Sequence, residues 1–71
     1  MAKLFDSIVL LEDLPDENLH RGNVGAIVEV YNGGEAFEVE FVATNGGTYG
    51  LTTLRPEQFL VLEREPTRVA A

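Results

Sequence analysis

Three glutamates alternate through the middle of this chain, Glu29 and then Glu38 and Glu40, and four more acids, Glu12, Asp13, Asp16 and Glu17, gather just upstream. Grouped carboxylates can do one of three things: shuttle protons, hold a cation, or attract a positively charged partner. Proton shuttling needs two carboxyls held in a cleft whose environments push them apart in acidity. Glutamates at every second position of a strand share one outer, solvated face, which is no such cleft. Cation binding fares little better, because Asp13-x-x-Asp16-Glu17-Asn18 has neither the twelve-residue calcium-loop spacing nor its glycine. His20 is the single histidine and there is no cysteine, so a zinc site lacks ligands. Ser7 is the single serine and no Gly-x-Ser-x-Gly surrounds it. Gly22-x-x-Gly25 leads into a strand rather than a helix and has no Gly-Lys-Ser/Thr, so it is not a phosphate loop. No catalytic residue, metal ligand or cofactor site is expected, and the chain reads as a non-enzyme.

Attraction of a partner remains. Between Gly22 and Leu54 the charged residues are Glu29, Glu35, Glu38 and Glu40, with no Lys or Arg; Arg21 and Arg55 flank the span. The whole chain carries twelve acids against five bases, a net charge of −7. That balance repels nucleic-acid phosphates and anionic lipid and draws in basic surfaces. A simpler account is a solvated face that keeps the protein soluble. The residues expected to meet a protein partner are Glu29, Glu38, Glu40, Asp13, Asp16, Glu17 and Tyr31. Tyr31 and Tyr49 could form an aromatic platform for a peptide. With no Trp in the chain, half-buried packing is the better account of both.

The elements that must position these residues are short strands. Seventy-one residues make one small domain with a thin core. Lys3 to Glu12 reads as a first strand around Ile8-Val9-Leu10-Leu11. A loop follows from Glu12 to Asn23, with a helical turn expected near Pro15 and Leu14 and Leu19 as its anchors. In the second strand, Asn23 to Tyr31, strict alternation puts Ala26, Val28 and Val30 on one face and Ile27, Glu29 and Tyr31 on the other. Gly22 and Gly25 fit a bulge or a close backbone approach. After an Asn32-Gly33-Gly34 turn, the third strand (Ala36 to Ala43) turns Phe37, Val39 and Phe41 inward and Glu38 and Glu40 outward. Asn45-Gly46-Gly47 signals a hairpin into a fourth strand, Thr48 to Leu54. A 3-10 turn at Arg55-Pro56-Glu57-Gln58 precedes the fifth, Phe59 to Glu63. Residues 65–71 read as a flexible C-terminal tail beyond a single domain at 1–64. This order predicts an all-β, five-stranded SH3-like barrel with a long first loop and a 3-10 turn before its last strand.

No apolar run exceeds four residues, so no membrane insertion is expected. The start of the chain does not resemble a signal peptide, and the lack of cysteine suits a reducing, cytoplasmic location.

The strings Ile8-Val9-Leu10-Leu11-Glu12-Asp13-Leu14-Pro15, Val24-Gly25, Ile27-Val28-Glu29-Val30-Tyr31 and Phe37-Glu38-Val39-Glu40-Phe41, together with Leu19, Gly22, Gly34 and Leu54, resemble a family of small bacterial proteins catalogued as a domain of unknown function. The resemblance implies an SH3-like barrel and brings no activity. The layout is more loosely similar to the small barrel-shaped reaction-centre protein that docks on photosystem I, and Val24-Gly25-x-Ile27 to the KOW-type barrels of ribosomal and transcription-factor domains. The expectation is a protein-interaction module with an acidic docking surface, for instance an antitoxin or immunity-type neutraliser of a basic partner. The alternatives are a KOW-like nucleic-acid-binding barrel, which the charge opposes, and an accessory subunit of a larger photosynthetic or redox complex. Oligomeric state is not legible.

Overall fold

Short runs rich in apolar residues build the strands. The computed structural model describes residues 2–42 and 48–62. Its strands are β1 (Ser7–Leu10), β2 (Val24–Tyr31), β3 (Ala36–Val42), β4 (Thr48–Leu54) and β5 (Phe59–Val61). Short 3-10 turns occupy Pro15–Glu17 in the first loop and Pro56–Gln58 before β5. The five strands form one antiparallel sheet in the order β4-β3-β2-β1-β5. The sheet curls until the rings of Phe37 and Phe59, from strands three places apart, meet edge to face at 5.3 Å. β4 and β5 remain its two edges, so this is an SH3-like barrel left open. The 45–47 hairpin turn, the Tyr49 side chain and the 65–71 tail lie outside the described residues.

Proline starts both 3-10 turns, where its fixed φ fits and its missing N–H is not needed. The first turn ends at Asn18, whose left-handed backbone (φ 59°) sends the chain back to pair Leu19 with Leu14. Leu19 is buried and Leu14 packs on the core, so the two leucines do anchor the loop. Gly22, at φ +97°, holds the third position of a turn closed by Asn23 N–H donating to His20 O at 2.9 Å, where a type II turn needs positive φ. The second turn is held by Gln58, which accepts the Arg55 N–H on Oε1 at 2.7 Å and donates its own N–H to Arg55 O at 3.0 Å.

The core consists of Ile8, Leu10, Leu19, Ile27, Phe37, Val39, Phe41, Leu54 and Phe59, with Ala2, Leu14 and Val30 packed against it. β3 contributes Phe37, Val39 and Phe41, as its alternation predicts. β2 departs from strict alternation. Ile27, expected on the outer face with Glu29, is fully buried. The reason is a bulge: Ile27 pairs with Val39 and Glu29 with Glu38, leaving Val28 as an extra residue. Before it, Gly25 and Ile27 face in and Ala26 pairs with the outward Glu40; after it, Val30 faces in opposite Phe37. Ala26 and Val30 therefore lie on opposite faces.

Gly25 sits across from Phe41, where the backbone of β3 passes close. A Cβ there would stand 2.7 Å from Glu40 O, 2.8 Å from Val39 Cγ1 and 3.0 Å from Phe41 Cδ1. Gly25→Ala is expected to destabilise the fold by roughly 1–3 kcal/mol, the usual range for overpacking. Gly50→Ala, where the new methyl meets nothing within 4 Å, should change stability by less than about 1 kcal/mol. Urea unfolding of the two variants measures both.

Candidate functional site

The outward face of β2, β3 and β4 gathers part of the acidic set. Register places Glu29 directly opposite Glu38, and Ala26 opposite Glu40. Tyr31 lies two residues beyond Glu29 on the same face. On the other side of β3, Thr53 pairs with Glu38 and Leu51 with Glu40. Glu38 is the centre of this patch: its Oε1 accepts a 2.7 Å hydrogen bond from Thr53 Oγ1 and a longer one, 3.4 Å, from the Tyr31 hydroxyl. Glu38 and Glu40 are half-buried, and Glu29 is exposed.

Like charges directly opposed in a sheet are unfavourable by up to about 1 kcal/mol. The two hydroxyls that reach Glu38 offset part of this by solvating its charge. The neighbouring charges also act on Tyr31. Its phenol is held above the ordinary value, first by partial desolvation, then by the charges of Glu38 and Glu29, then by its bond to Glu38. The residue as a whole is 39% exposed, so Tyr31 stands at the surface. The tyrosine is part of the acidic patch rather than of the core.

The first-loop acids are not part of this constellation. Asp13 Oδ1 accepts the Arg21 backbone N–H at 2.9 Å and so ties the ends of the loop together. Glu12 Oε2 accepts from Gln58 Nε2 at 3.0 Å, and Leu11 N–H donates to Gln58 O at 2.9 Å. These contacts fasten the loop to the turn before β5. Asp16 and Glu17 are exposed in the Pro15–Glu17 turn. His20 is exposed, as expected for a loop histidine. Arg55 pairs in solvent with Glu57, Nε to Oε2 at 2.8 Å, which raises the guanidinium and lowers the carboxyl through their shared hydrogen bond.

Sequence reasoning did not single out Thr53, although it holds Glu38. The sequence carries no signal that separates it from Thr48 and Thr52 on the same strand; the Glu38–Thr53 pairing does. A second feature it did not find is an apolar groove of about 430 Å³ between Ala2, Gly34, Phe37, Pro56, Phe59, Leu60 and Val61. Binding sites pair an apolar wall with a few convergent polar groups, and these lining residues carry no polar side chain. Among the described residues no cluster of three or more His, Cys, Asp or Glu is placed to hold a metal ion. No helix among them is long and apolar enough to cross a membrane.

A strand order of this kind, a pinned first loop and an acidic outer face define a small SH3-like β domain. The chain belongs to the family described as Domain of unknown function (DUF4926), whose model matches residues 4–61. Comparison with curated proteins and with solved structures returns no match. The looser likenesses thus rest on layout for the photosystem I barrel and on the short Val24-Gly25-x-Ile27 string for KOW-type barrels, and neither is shown.

Two outcomes follow from the patch. Glu29→Lys replaces a repulsive pair by an attractive one, so it should stabilise the fold by roughly 0.2–1 kcal/mol, less at high salt. Glu38→Gln should lower the Tyr31 titration part of the way to its ordinary value, read by NMR of the labelled ring. The sign for stability follows. A folded-state value above the unfolded one means the folded chain keeps its proton longer. The stability linked to that proton is complete below the unfolded value of about 10 and disappears as pH rises through the folded value. Glu38→Gln should therefore flatten the alkaline fall in stability.

Proposed function

We propose that this domain is a non-enzymatic protein-interaction module that docks on a basic protein surface through the outward face of β2 and β3. One observation carries the reading: Glu29, Glu38 and Glu40 share a face within a span of the chain that has no Lys or Arg. A face meant only for solubility has no need to set Glu29 against Glu38, because mixed charges solubilise equally well without repulsion. A docking face gains from the same arrangement, since a cation arriving between the two carboxylates relieves their repulsion. Electrostatic complementarity of this kind raises association rates and selects partners by sign of charge.

The contributing residues are Glu29, Glu38, Glu40 and Tyr31, which adds an amphipathic contact beside the charges. Asp16 and Glu17 extend the negative field without sharing the face, and Asp13 serves the loop. A toxin-neutralising role is the specific version that small size and negative charge support. The same charge disfavours a nucleic-acid-binding reading, which needs a basic stripe.

The test compares the native protein with the triple variant Glu29→Gln, Glu38→Gln, Glu40→Gln as immobilised bait in native lysate. The native protein should retain a basic protein at low ionic strength and release it as salt rises. The triple variant should retain at least tenfold less. Equal capture by both, or capture indifferent to salt, removes the acidic face from the account. Titration of labelled RNA or DNA at low salt should stay flat; tight binding there would reverse the choice of partner class.

A further inference from the structure

We infer that the free edge of β4 receives an extended, basic segment of the partner protein as a sixth strand. This inference rests on the acidic-face reading and specifies how the partner is held.

The two edges of the open sheet differ. β5 is three residues long, closely follows Pro56, and offers little to pair with. β4 runs for seven residues, Thr48–Leu54, with no charge and no proline. Exposed edge strands normally carry such features, which discourage stray pairing. β4 has neither. Its one irregularity is a bulge at its start, where Phe41 pairs with Gly50 and Val42 with Thr48, which leaves residues 50–54 regular. Among the described residues β4 stands outermost.

Alternation fixes which backbone groups face outward. Ile27 turns its N–H and C=O to the segment entering β1, donating to Asp6 O at 2.9 Å and accepting from Phe5 N–H at 2.7 Å. Its neighbour Ala26 must then turn toward Glu40, and Glu40 toward Ala26. Val39 and Phe41 consequently turn toward Thr52 and Gly50. That leaves the N–H and C=O of Leu51 and Thr53 directed away from β3. They are the ladder an added strand needs.

The side chains of Leu51 and Thr53 lie on the acidic face, opposite Glu40 and Glu38. Leu51 is 56% exposed, an apolar contact waiting for a neighbour. A residue placed opposite Thr53 has its Cβ about 5 Å from that of Thr53 and about 10 Å from that of Glu38. A lysine or arginine stem reaching over the small threonine, together with the Glu38 side chain, closes that distance. Charge also decides between occupants. A second copy of this chain would bring another −7 to the same edge, whereas a basic strand brings the complement.

The probe is a blocked nine-residue peptide alternating lysine and valine, titrated at low ionic strength into the full chain. Its control has the same charge, with proline at each valine position, and so cannot form a ladder. Leu51→Pro removes an outward N–H while leaving the bonds to β3 untouched. The alternating peptide should bind at least tenfold tighter than its control. Leu51→Pro should weaken it at least tenfold while keeping the circular dichroism of the native fold. The Leu51 and Thr53 amides of the native protein should gain hydrogen-exchange protection when the peptide is bound, a readout that does not depend on how the variant folds. Equal binding of both peptides without protection overturns strand addition but leaves acidic docking intact. Peptide binding that survives the triple glutamine variant, with protection at β4, removes the acids instead. A Leu51→Pro-sensitive dimer in sedimentation makes a second copy the occupant and overturns the basic segment.

Discussion

Ile27 and Glu29 stand two positions apart in one strand, and an unbroken strand would carry both side chains to the same face. One would be an isoleucine in water or the other a carboxylate in the core. The bulge at Val28 resolves the conflict by inserting one residue into β2 that has no counterpart in β3. The side-chain parity of the strand reverses at that point. Its first half serves the core with Ile27, its second half with Val30, and Glu29 and Tyr31 stay outside. Burying an unpaired carboxylate is costly enough that the chain would neutralise it or fail to fold. The acidic face therefore exists because the strand is irregular.

The same strand must also bend so that β3 and β5 meet. Bulges increase local twist, and Gly25 allows the chain to pass against Glu40, Val39 and Phe41 with no side chain between. The edge-to-face contact of Phe37 and Phe59 depends on that curl. A domain of this size has few other means of enclosing a core, with no disulfide and about 60% of its unfolded surface buried on folding. Backbone geometry in β2 thus decides both what is inside and which carboxylates stand together outside.

Most of the fold was legible because its signals are local. Prolines mark both 3-10 turns, Asn-Gly-Gly marks the turn after β2, and the Phe37-Glu38-Val39-Glu40-Phe41 alternation is unbroken in β3. Leu14 and Leu19 could be read as anchors because a loop rich in acids has little else to bury. The facing of β2 was not legible, since an extra residue in a strand leaves no mark in a run such as Ala26-Ile27-Val28-Glu29-Val30, where either parity offers apolar residues to the core. Register across strands is likewise a pairwise property. It decides that Glu29 meets Glu38, and that Thr53 rather than another threonine supports that carboxylate. Asp13 shows a second role that was not legible: as an acid in an acidic loop it resembled Asp16 and Glu17, and its hydrogen bond from the Arg21 backbone also makes it part of the loop's closure.

The locations of the unresolved conflicts are informative. Natural sequences keep local and global preferences consistent, and exceptions concentrate where function requires them. Among the described residues no buried side-chain nitrogen or oxygen lacks a partner, so the core holds no such exception. The surface holds several. Glu29 faces Glu38, β4 is an edge without charge or proline among the described residues, and Phe5 combines a left-handed backbone at φ 72° with 70% exposure of the residue. Positive φ is strained for a bulky residue, and so exposed a residue gains little burial in return. The Phe5 backbone serves the fold through its N–H, which donates to Ile27 O at 2.7 Å; the opposed glutamates and the uncharged edge do not. A thin-cored protein thus keeps its conflicts on the outside, where solvent softens them, and holds none at a buried polar side chain among the described residues.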